Sequence, residues 1–132
     1  MVTIDDVARL ALALPGVTEG LRYRNRTWFV DGKGFAWQRP FSKADLKRFG
    51  TETPPAGEIL ALSTGDLAEK EAILEANPVG FFTIEHFANY PAVLVELDVV
   101  TEAVVADALL DAWLTCVPEA TARAHLDSLG ED

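Results

Sequence analysis

The chain is poor in the residues that usually announce chemistry. A single cysteine, Cys116, excludes an internal disulfide framework and a cysteine-based zinc finger. The two histidines, His86 and His125, stand far apart, with no HxH, HExxH or paired-Cys spacing, so neither a metal nor another cofactor is expected. No apolar run reaches about 18 residues, so no membrane span is expected. No basic stretch precedes an apolar one near the start, so the expected location is cytoplasmic. Cations are scarce as well, 11 Lys and Arg against 21 Asp and Glu, for a net charge of −10. That balance excludes a protein that coats duplex DNA with its whole surface.

What is present is an ordinary globular composition, 49% apolar and 24% charged over 132 residues. One domain is expected over residues 1–132, with a frayed acidic tail at 130–132, and the length suffices for a core without staples. The few cations are concentrated. Residues 20–50 hold Arg22, Arg24, Arg26, Lys33, Arg39, Lys43, Lys47 and Arg48 against Asp31 and Asp45, a net of +6. The rest of the chain carries −16. A compact chain of this length has a radius of gyration of roughly 14 Å, and the Debye length is about 8 Å at physiological salt. Acids on the far face are therefore screened, and local charge decides what meets the basic segment.

The hydrophobic pattern predicts an α+β fold. Thr3 and Asp6 have capping-box spacing, and Ile4, Val7, Leu10, Ala11 and Leu14 share a helical face that stops at Pro15-Gly16. Residues 22–30 read as a strand and Lys33–Gln38 as its partner, because Asp31-Gly32 suits a type I′ hairpin turn. In an extended chain Arg22, Arg24 and Arg26 would share one face, with Tyr23, Thr27 and Phe29 on the other. Ser42 caps a short helix to Phe49. Glu58–Ser63 is a strand, and Asp66 caps a helix that ends at Asn77-Pro78. Phe81–Ile84 and Ala92–Leu97 are strands, the latter central, around a loop at His86–Pro91. Thr101 caps a helix carrying Leu110, Trp113, Leu114 and Val117, and a last short helix follows Pro118. An antiparallel sheet of about five strands is expected, with N-terminal, middle and C-terminal helices on one face and the other face open.

Several strings taken together, IDDVARLALALPGVTEG (4–20), VDGKGFAW (30–37), FFTIEHFANYPAVLVELD (81–98) and ALLDAWLTCVP (108–118), resemble the MmcQ/YjbR family of small bacterial proteins. FFT-x-x-HF-x-x-YPAVLV is the most specific piece. The resemblance implies a compact α+β domain with a double-wing motif, commonly labelled DNA-binding, and no agreed reaction. Two positions depart from the pattern. Glu85 stands where Pro often precedes the motif His, and Glu119 and Ala120 stand where basic residues often follow the closing Pro.

Read as chemistry, Arg22, Arg24, Arg26, Lys33 and Arg39 on a hairpin, with Trp28 and Trp37 between them, fit a nucleic-acid backbone, contacted with low sequence specificity. Lys43, Lys47 and Arg48 extend that basic surface. The two tryptophans fit a core equally well, and core is the commoner fate. His86, with Tyr90 and Trp37 near it, marks a candidate pocket; the bland alternative is that His86 bonds backbone and fixes its own loop. Cys116 reads as a buried hydrophobe, and Asp107 and Asp111 as one solvated helix face. Gly32-Lys33-Gly34 lacks the flanking residues of a phosphate loop. The expected function is thus non-enzymatic: an anion-binding module, with nucleic acid first. A protein-interaction module, including a homodimer, and a small anionic-metabolite binder with a pocket at His86 are the alternatives.

Overall fold

The computed structural model describes residues 2–76 and 78–130. The expected stop at Asn77 and the tail residues Glu131 and Asp132 lie outside them. The chain opens with α1 (Ile4–Leu12), whose Thr3 hydroxyl accepts from Asp6 N–H while the Asp6 carboxylate accepts from Thr3 N–H. Then come β1 (Thr18–Arg22), β2 (Asn25–Val30), β3 (Lys33–Gln38), α2 (Lys43–Arg48), β4 (Ile59–Ser63) and α3 (Leu67–Ala76). A two-residue β5 (Phe81–Phe82), a 3₁₀ turn (Glu85–Phe87), β6 (Ala92–Glu96), α4 (Glu102–Leu114) and α5 (Glu119–Leu129) complete it. The sheet is antiparallel with strand order β1-β2-β3-β4-β6-β5, six strands where about five were expected.

The extra strand is β1, and it corrects the expectation of a single strand over 22–30. Tyr23 and Arg24 both adopt left-handed φ, 52° and 68°, and turn the chain back on itself. Arg22 then pairs with Asn25 and Glu19 with Trp28. Asp31 and Gly32 make the second hairpin as expected, with φ 51° and 76°. A bulge at Trp28/Phe29 interrupts the β2–β3 ladder. Both Phe35 and Ala36 lie in the helix-side core.

Both faces of the sheet's middle are covered. On the helix side Trp28, Phe35, Leu60, Leu62, Val93 and Val95 pack with Val7, Ala11, Val105, Leu109 and Trp113. On the other side Ile59, Ala61, Ala92, Leu94 and Phe87 form a smaller cluster with Trp37, Phe41, Phe82 and Ile84. That two-sided burial explains why β4 and β6 read as continuous apolar runs rather than alternating ones. β6 lies inside the sheet, next to the short edge strand β5 rather than at the centre. The second face is covered by Phe41 of the Arg39–Ser42 stretch and by Phe87 of the Glu85–Tyr90 segment, against which α2 packs. Toward the β1–β2 hairpin that face opens: Arg22 is exposed there and Asn25 half-buried, while Thr27 beside them is fully buried.

Candidate functional site

The three arginines expected on one strand face are separated by the turn at Tyr23-Arg24. Arg26 points to the helix side. It donates to Glu19 at 3.1 Å and Asp5 at 2.8 Å, and its guanidinium carbon lies 5.7 Å from the Trp28 ring centroid. Glu19 also accepts from Trp28 Nε1 at 2.9 Å. Arg26 is thus consumed by structure. Arg24 sits at the hairpin tip, exposed. Lys33 lies at the opposite end of β2, and Lys43 and Lys47 project from α2; these too are exposed. Arg48 reaches Asp45 at 3.7 Å.

Arg22 goes to the open face. Its partner Asn25 and, two residues on, Thr27 opposite Trp37 share that side. A Cβ at Gly34 would stand 2.9 Å from Arg22 Nη1 and 3.2 Å from the Thr27 methyl, so Gly34 is the gap through which the guanidinium lies along the sheet. Arg22 makes no ion pair among the described residues.

There Arg22, Tyr23, Asn25 and Trp37 form one wall of a groove of about 610 Å³, and Arg39, Phe41, Ser42, His86, Phe87 and Tyr90 form the rest. Arg39 is held in place. It reaches Asp45 at 3.0 Å, with side chains only 17% and 1% exposed, and its guanidinium carbon lies 5.3 Å from the Phe87 ring centroid. Asp45 also caps α2 by accepting from Ser42 N–H at 2.9 Å. Burial raises the Asp45 carboxyl's pKa, but the Ser42 N–H and the Arg39 guanidinium outweigh it, and the net shift is downward. Tyr90, 46% exposed, meets Trp37 edge-on, with centroids 6.2 Å apart at 70°. The groove therefore offers a cation with no acidic partner among the described residues, an exposed imidazole and two nearly perpendicular aromatic rings.

Of the two expected tryptophans, Trp28 is core and Trp37 is half-buried at the groove. The three pocket residues named from sequence, His86, Tyr90 and Trp37, do come together. His86 does not fix its own loop, since its side chain makes no hydrogen bond among the described residues. That tie comes from Lys70, which the sequence reading missed. Lys70 Nζ donates to the carbonyls of Phe87 and Tyr90. A signal existed: Lys70 is the single cation between Arg48 and Arg123. A second cleft, of about 310 Å³ between α3 and α4, has mainly apolar walls with Glu69, Asp107 and Asp111 and no cation in its lining. Its Asp111 carboxyl is pushed up by burial and by Asp107. Its charge is wrong for an anion. Cys116 is buried, as expected. No helix among the described residues is long and apolar enough to cross a membrane.

The YjbR family model matches residues 12–115, the stretch that carries the whole sheet, the groove and the second core. The chain belongs to the YjbR family. It is 37% identical over 133 residues to an uncharacterized protein of Mycobacterium bovis, covering 98% of this chain and all of that one. Uncharacterized proteins from two strains of Mycobacterium tuberculosis match to the same extent. No solved structure matches the chain.

Proposed function

We propose that this YjbR-family protein is a non-enzymatic binding module. Its groove takes a nucleotide unit, either free or at an end of single-stranded nucleic acid. The observation that carries the reading is the convergence of Arg22, His86, Trp37 and Tyr90 on one groove of about 610 Å³, within the size range of small-ligand sites. A flat base stacks on one ring and meets the edge of the other, an arrangement worth about 1–3 kcal/mol per base. The phosphate meets Arg22, whose charge no carboxylate among the described residues neutralises. Arg39 shapes the wall, but its charge is largely answered by Asp45. A duplex backbone is a poorer fit, because Arg22, Arg26 and Lys33 do not form one continuous surface.

The test is a fluorescence titration with adenosine 5′-monophosphate and with a short oligothymidylate. Trp28 and Trp113 are fully buried, so a ligand-induced change reports Trp37. We expect quenching with a dissociation constant of roughly 10 µM–1 mM, lost in Trp37→Phe. Arg22→Ala should weaken it about tenfold, a change of about 1.4 kcal/mol. No quenching by either probe, or an unchanged affinity in Arg22→Ala, contradicts the reading.

A further inference from the structure

We infer that Lys70, which does not itself line the groove, is a positioning residue for it: its ammonium pins the Glu85–Tyr90 turn and so sets where Tyr90 and His86 stand. The inference rests on the groove reading above and extends it to a residue that touches no ligand.

Lys70 is 3% exposed, the one fully buried residue of α3, while the apolar Ile73 and Leu74 beside it are only partly buried. No carboxylate among the described residues pairs with it. Burial alone pulls its pKa down, which marks an ammonium held where water is scarce. A Met of similar reach would fill this site without that cost, so space-filling alone does not explain a lysine there.

What the lysine adds is two directed hydrogen bonds. The Phe87 carbonyl already accepts from Tyr90 N–H at 3.0 Å, and the Tyr90 carbonyl from Ala92 N–H at 2.8 Å. Lys70 takes the second lone pair of each, with 2.8 Å to Tyr90. Removing it therefore orphans neither carbonyl, and the fold is expected to survive. What is lost is the link between the turn and α3. Phe87 keeps its anchor in the second core at 6% exposure, whereas Tyr90 has no comparable burial. The freedom falls on the Tyr90 end, where the aromatic wall stands.

The experiment compares the wild-type protein with Lys70→Met and with Lys70→Gln, which keeps two N–H donors without the charge. Amide hydrogen exchange is followed along the chain, and adenosine 5′-monophosphate is titrated by Trp37 fluorescence. In Lys70→Met, the Ala88, Tyr90 and Ala92 amides should exchange at least tenfold faster while β4 and α4 amides keep their protection. Affinity for the nucleotide should fall about three- to tenfold, with Lys70→Gln between the two. Unchanged exchange in the turn, or a uniform loss of protection over the whole chain, overturns the inference. If the wild-type protein does not bind the nucleotide, the groove reading fails by itself, and the exchange pattern still decides whether Lys70 pins the turn.

Discussion

Arg22 and Arg26, four positions apart in one basic segment, have opposite fates. Arg26 is bonded to Glu19 and Asp5 and covers Trp28, so Arg26→Ala should lower the melting temperature by about 3–5 °C, the equivalent of about 1 kcal/mol, without changing nucleotide affinity. Arg22→Ala should do the reverse. Thermal melts and titrations of the two variants check the contrast. Asp45 carries the other residue-scale prediction. Asp45→Asn removes the charge answering Arg39 in a nearly dry site and should cost about 3 kcal/mol in denaturant unfolding. Its carboxyl lies below the usual range when folded. Its stabilisation is therefore complete above the unfolded value of about 3.9 and fades as pH falls through the lower folded value. The wild-type protein should lose stability in acid more steeply than Asp45→Asn; parallel curves would contradict the assignment. Which cation is free and which is spent was not legible in the sequence, because Asp5, Glu19 and Asp45 find their partners only after the turns are made.

At the scale of elements, the helices were legible because their starts carry their own chemistry. Thr3, Ser42, Asp66 and Thr101 each accept from the backbone N–H three residues on. The Asp31-Gly32 hairpin was legible for the same local reason. The β1–β2 hairpin was not, since Tyr23-Arg24 has none of the residues that favour positive φ, and pairing along β1 and β2 imposes the turn. That conflict yields a prediction. Arg24→Gly relieves the left-handed strain at φ 68° and should stabilise the protein by about 0.5–1 kcal/mol, read as a higher denaturant midpoint. Free-nucleotide affinity should stay the same, because Arg24 does not line the groove. Lys70 was hidden for another reason. A lone lysine in a helix reads as solvated, and nothing local announces that the Phe87 and Tyr90 carbonyls will meet it.

At the scale of the molecule, the charge of −10 does not describe what a ligand meets. The basic segment is real, but folding divides it: a paired Arg26 on the helix side, Lys43 and Lys47 on α2, and Arg22 in the groove with Arg24 at its hairpin tip. Oligothymidylate binding should therefore depend only mildly on salt, with a log–log slope of about −1.4 if Arg22 and Arg24 each answer one phosphate. A slope much steeper than that would bring the α2 lysines into contact. The α+β class, the antiparallel sheet and the meeting of His86, Tyr90 and Trp37 were all legible. The groove itself was not, because it exists only where the Arg39–Ser42 stretch and the Glu85–Tyr90 turn stop short of the sheet's edge. The most direct test is an amide chemical-shift map of the labelled protein titrated with adenosine 5′-monophosphate. Shifts should be confined to residues 22–25, 37–42 and 86–90. Shifts centred on the α3–α4 cleft, or no saturable shifts at millimolar nucleotide, would contradict it.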